Sequence, residues 1–149
     1  MTVFELLHTY YIFKDDAYYS LRALGFYRTR TDVDEAIAFY RTVVGYCDSP
    51  NAFTVRRRTV YGEVQNDIVY EAMVYAHTDY YDDYEYTAEL GLYASEVDAQ
   101  SAVLQFRNEN AIFYQSESVG IEIEEIVNKW RINERACQEG FYVEPIEQA

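Results

Sequence analysis

The chain has 149 residues, half of them apolar and 17% aromatic, enough to bury a core and to exclude a disordered or collagen-like chain. Its 26 acids against 12 bases leave a net charge of −14, the opposite of the basic surface that a direct nucleic-acid binder needs. No apolar run reaches the roughly 18–20 residues of a membrane span, and Met1–Phe13 lacks the charged start and cleavage site of a leader peptide.

Sliding the sequence against itself by 66 positions aligns Val3–Arg41 with Val69–Arg107 without gaps, with 10 of 39 positions identical. Val3-Phe4-Glu5 falls on Val69-Tyr70-Glu71, and Leu24-Gly25-Phe26-Tyr27 falls on Leu90-Gly91-Leu92-Tyr93. Asp32, Ala36 and Arg41 fall on Asp98, Ala102 and Arg107. Such self-similarity is the mark of a tandem duplication. The expected organisation is a single domain, residues 1–149, built of two repeats at 3–61 and 69–127 with a C-terminal tail at 128–149.

In chain order, Val3–Phe13 is rich in the β-branched and aromatic residues of a half-buried strand. An acidic turn then leads to a second strand near Tyr18–Arg28. Thr31, with Asp34 three residues on, is placed to cap a helix whose face carries Val33, Ala36, Ile37, Tyr40 and Val44. A loop at Gly45–Asn51 precedes a third strand at Phe53–Tyr61. In the second repeat Ser95 caps a helix facing inward through Ala99, Ala102, Val103 and Phe106, the first helix's face plus 66. Gly25 and Gly91, inside second strands, mark bulges or close backbone approaches. The tail is expected to hold a helical turn at Asn133–Cys137 and an edge strand at Phe141–Val143. The fold class is therefore α+β: tandem pseudo-symmetric β-β-α-β units, antiparallel sheet, helices packed on one side.

Charge is divided unequally. Residues 1–66 hold 8 acids and 8 bases, whereas 67–149 hold 18 acids and 4 bases. Arg56-Arg57-Arg58 aligns with Glu122-Ile123-Glu124, so Arg56 and Arg58 either pair with Glu122 and Glu124 across a ladder or lie on a solvated face. Asp79, Tyr80, Tyr81, Asp82, Asp83, Tyr84, Glu85 and Tyr86 alternate acids with tyrosines at the turn between the second repeat's first two strands. Tyrosines supply contact area and acids steer a cationic partner, though strand tyrosines beside a solvated turn give the same pattern.

The chemistry of an enzyme is hard to find. His8 and His77 lack metal-site spacing, and His8 has Val74 at the equivalent position of the second repeat. Cys47 and Cys137, with 89 residues between them, are too few for a disulfide scaffold and suit a reducing cytoplasm. No phosphate-binding glycine loop or nucleophile motif occurs, so no catalytic residue, metal ligand or cofactor is expected.

Leu24-Gly25-Phe26-Tyr27-Arg28-Thr29, followed by Ala36-Ile37, resembles a small uncharacterised bacterial domain family with the pattern V-Y-x-L-x-H-x-Y … L-I-G-x-Y-S-S … A-I. Val3–Tyr10 is similar to its opening strand, Leu90–Ser95 repeats its middle, and Glu139-Gly140-Phe141-Tyr142-Val143 is similar to its close. The resemblance implies two copies covering nearly the whole chain, and it brings no catalytic residues.

The resulting expectation is a non-catalytic, acidic, cytoplasmic binding protein. It would be an immunity-type inhibitor occluding a cationic toxin or effector, such as a nuclease, through residues 79–86, with no direct contact to nucleic acid or membrane. The alternative is a structural or regulatory module that binds a small ligand or homo-oligomerises through a sheet edge.

Overall fold

The computed structural model describes residues 1–11, 19–78, 85–115, 117 and 120–142. The chain divides into two compact units. We call the described residues of Thr2–Arg58 and Ile132–Ala149 the N-terminal unit, and Met1 with Thr59–Arg131 the central unit. The class is α+β, and no described helix is long and apolar enough to cross a membrane.

The N-terminal unit contains β1 (Thr2–Tyr11), β2 (Tyr19–Tyr27), α1 (Arg30–Tyr40) and most of β3 (Phe53–Tyr61), with strand order β2-β1-β3. Only Arg28 and Thr29 separate the end of β2 from the start of α1. Thr29, not Thr31, is its cap, with Oγ1 accepting from the Asp32 amide at 3.1 Å. Thr29 and Asp32 have the same spacing as Thr31 and Asp34, and the pair nearer the strand end takes the role. Val33, Ala36 and Tyr40 are buried against Leu6, Leu24, Tyr27 and Tyr46, with Ile37 packed on them. Val44 lies beyond the helix and is exposed.

The central unit holds the end of β3, β4 (Ile68–Thr78), β5 (Glu85–Tyr93), α2 (Glu96–Glu109), a short α3 (Ala111–Tyr114) and β6 (Ile121–Arg131). Its strand order is β3-β5-β4-β6; β4 is antiparallel to both neighbours, and β3 meets β5 in parallel through Val60 and Tyr61. Ser95 caps α2 by accepting from the Asp98 amide at 3.1 Å. Ala99 and Val103 are buried on Ala72, and Tyr70, Leu90, Tyr93, Ala102 and Val127 pack around them.

Both glycine-bearing strands contain the expected bulge, and the Leu-Gly-x-Tyr segment explains itself there. The β1–β2 register shifts as Leu6 pairs with Gly25 and Leu7 with Ala23, and the β4–β5 register shifts as Ala72 pairs with Gly91 and Met73 with Glu89. The glycines sit at φ +118° and +133°, where a side chain is strained. The Tyr27 hydroxyl donates to the Leu24 carbonyl at 2.8 Å, and the Tyr93 hydroxyl to the Leu90 carbonyl at 3.0 Å. A Cβ on Gly91 would come within 3.3 Å of the Tyr93 ring. The bulge strips a leucine carbonyl of its ladder partner, the tyrosine replaces that partner, and the glycine leaves room for its ring.

Two expectations for the tail and one for the arginines are corrected. Residues 133–137 are not helical, because Asn133 and Cys137 adopt φ of +67° and +52°, which no right-handed helix accommodates. The backbone bonds outward instead: Asn133 N–H donates to Phe26 O (2.8 Å) and Ala136 N–H to Leu24 O (3.3 Å). Phe141 and Tyr142 belong to no strand, and Val143 lies outside the described residues. Phe141 is tied by its N–H to the Val44 carbonyl at 3.0 Å. Arg56 and Arg58 are bound not to Glu122 and Glu124 but to Glu5 of β1, a buried carboxylate that accepts from Arg56 Nε at 2.7 Å and Arg58 Nη1 at 3.1 Å. Glu122 and Glu124 lie on β6, whose ladder is with β4.

Candidate functional site

In the central unit strand alternation sorts the side chains of β4. Tyr70 and Ala72 face α2. Tyr75 and His77, at odd positions, therefore lie on the helix-free face. The registers set Glu85 and Glu122 on either side of His77, and Thr87 and Glu124 on either side of Tyr75. Three carboxylates thus surround one pair of rings by ladder geometry alone.

The contacts close this cluster. The rings of Tyr75 and His77 stack with centroids 5.0 Å apart and planes 20° from parallel. His77 Nε2 lies 3.6 Å from Glu122 and 3.8 Å from Glu124, and the Tyr75 hydroxyl donates to Glu85 Oε1 at 3.0 Å. Partial burial, then the bond to Glu85 and the charge of Glu124, hold the Tyr75 phenol above its ordinary range. The Glu122 and Glu124 side chains are 61% and 57% exposed, so their charge is presented to solvent. Glu125, on the opposite face, is neutralised by Arg107, whose Nε donates to it at 2.9 Å; that bond holds its carboxyl below the usual range.

Of the residues singled out in sequence, Asp79, Tyr80, Tyr81, Asp82, Asp83 and Tyr84 lie outside the described residues. Glu85 belongs to the cluster. Tyr86 does not: it is opposite Ala76, on the α3 side, with its ring edge-on to Phe113 at 5.7 Å. Tyr75, His77, Glu122 and Glu124 were not assigned to the site from sequence. The signal was present as Tyr75-x-His77 and Glu122-x-Glu124, two i, i+2 pairs on one face, but their adjacency depends on the β4–β6 register. Among the described residues no group of His, Cys, Asp and Glu is arranged to hold a metal ion.

His8 of the N-terminal unit is a different kind of site. It is fully buried, with Nε2–H donating to the Ser49 carbonyl at 3.0 Å and the rings of Tyr46 and Phe53 edge-on at 5.0 and 4.8 Å. Its Nδ1 has no hydrogen-bond partner among the described residues. Burial, with help from the positive charge of Arg22 and against the Ser49 bond, holds the imidazole below its ordinary range. A shallow groove of about 470 Å³ opens alongside at Ser49–Thr54 and Thr9. No family model, curated protein or solved structure matches the chain.

Proposed function

We propose that the protein is a non-catalytic acidic binder, an immunity-type inhibitor that occludes a cationic toxin or effector, with a nuclease as the best-fitting target class. The observation that carries this reading is the convergence of Glu85, Glu122 and Glu124 on the stacked Tyr75–His77 pair on an exposed sheet face. A nuclease concentrates lysine and arginine where it grips phosphate, and an acidic surface with aromatic area complements that chemistry. Residues 79–84, which follow His77 and precede Glu85 in the sequence, add three acids and three tyrosines to the same acidic, aromatic run. Cys47 and Cys137 are free and exposed, in keeping with action in a reducing cytoplasm.

We also propose that the chain arose by tandem duplication into pseudo-symmetric β-β-α-β units. In support, β2 and β5 span positions 19–27 and 85–93, and α1 and α2 begin at 30 and 96, each pair 66 apart. The two bulges with their tyrosine closures recur at the same offset.

The test is affinity capture from native lysate with the tagged wild type beside a Glu85→Gln/Glu122→Gln/Glu124→Gln variant. The expected result is a basic protein retained by the wild type alone, inhibited by it in a nuclease assay, and associating at least roughly tenfold more slowly with the variant. Capture of the same proteins by both baits, or of none, would overturn the proposal.

A further inference from the structure

Strand β6 ends its sheet, and among the described residues no strand lies on its outer side. It runs 11 residues in unbroken register with β4, contains no proline or glycine, and has no buried residue. Alternate N–H and C=O groups of such a strand point away from its neighbour and template a further strand. The terminal strand of the N-terminal unit, β2, is treated differently. There the tail donates to the Phe26 and Leu24 carbonyls and covers the edge.

The charges along β6 say what fits against it. Glu122, Glu124 and Glu125 occupy its first half, and Lys129 and Arg131 its last. A strand acidic at one end and basic at the other complements itself when run antiparallel. We infer that β6 pairs antiparallel with β6 of a second copy of this chain, forming a two-fold dimer through the sheet edge. This inference does not rest on the inhibitor reading: of that cluster only Glu124 falls within the ladder it uses, and Glu125 and Lys129, which carry it, lie outside the cluster.

A two-fold axis normal to the sheet permits only registers in which some residue faces itself. Centred on Ile126, no acid faces a base: Glu125 meets Val127 and Lys129 meets Ile123 of the partner subunit. Centred on Asn128, Glu125 meets Arg131 of the partner subunit, but the ladder covers only residues 125–131. Centred on Val127, Glu125 faces Lys129 of the partner subunit twice over, Arg131 of the partner subunit lies diagonally beyond, and the ladder covers residues 123–131. Arg107 and the Tyr114 hydroxyl already hold the Glu125 carboxylate in place, so the incoming ammonium shares an ordered carboxylate with Arg107. Val127 packs against the α2 core on the same face, so the new pair continues an existing apolar surface.

The test is sedimentation equilibrium on the full chain. The wild type is expected at the mass of two chains. Lys129→Glu, a change at an exposed side chain, sets acid against acid and is expected to raise the dimer dissociation constant by at least roughly tenfold. Glu125→Lys sets base against base and should do the same. An equimolar mixture of the two variants restores opposite charges across the axis, so it should regain the two-chain mass. A wild type of one-chain mass up to millimolar concentration, a Lys129→Glu dimer as tight as the wild type's, or a mixture of folded variants that stays at one-chain mass would each overturn the proposal.

Discussion

Leu24-Gly25-Phe26-Tyr27 and Leu90-Gly91-Leu92-Tyr93 each solve one problem, a carbonyl deprived of its strand partner by a bulge. Removing the hydroxyl isolates that problem. Tyr93→Phe leaves the Leu90 carbonyl without its donor and is expected to cost about 1–2 kcal/mol of unfolding free energy, read from a urea titration with an unchanged m-value. The loss is expected to be smaller for Tyr27→Phe, because the Leu24 carbonyl keeps the Ala136 N–H at 3.3 Å and the Tyr40 hydroxyl at 3.4 Å. His8 makes a second residue-scale prediction, with its sign set by linkage. Its folded pKa lies below the ordinary 6.5, so the unfolded chain binds the extra proton first. The stability that the neutral imidazole contributes is therefore complete above about pH 6.5 and is lost as the pH falls below it. Comparing thermal midpoints near about pH 8 and about pH 5, the wild type should lose more stability on acidification than His8→Gln, which keeps a donor for Ser49 but does not titrate. Equal losses would rule out His8 as the source.

Among the elements, the tail is bound through backbone groups and rings. The Tyr40 hydroxyl donates to the Ala136 carbonyl, the Tyr46 hydroxyl donates to the Cys137 carbonyl at 3.0 Å, and Arg22 lies 3.8 Å over the Phe141 ring. Phe141→Ala removes the ring that packs on His8, Tyr10 and Tyr46 and is expected to cost about 2–3 kcal/mol, measured by denaturant unfolding. None of this attachment was legible in sequence, because acceptors such as Leu24 O lie more than a hundred positions away. Local signals fared better. Phe53–Tyr61 is a strand over the expected residues, and Ser95 and the Ala99–Val103 face of α2 are where capping and periodicity put them. Arg56 and Arg58 were misplaced for the same non-local reason: equivalence by repeat says which residues correspond, not which strands are neighbours. The acidic cluster was half legible. Glu85 stood out in a run of acids, whereas Tyr75 and His77 on β4 and Glu122 and Glu124 on β6 become one site only when the two strands are set in register.

For the whole molecule, the uneven charge and the path of the chain matter most. All of the net −14 falls in residues 67–149, so the electrostatic character belongs to the second half of the sequence. The path has a temporal consequence as well. The central unit is one continuous run apart from Met1, but the N-terminal unit is made from both ends of the chain. A ribosome delivers residues in order, so Thr59–Arg131 is available to collapse while Leu24, Phe26, Tyr40 and Tyr46 still wait for Asn133, Ala136 and Cys137. The part synthesised first is thus the part that can be completed only once Asn133–Cys137 have been added.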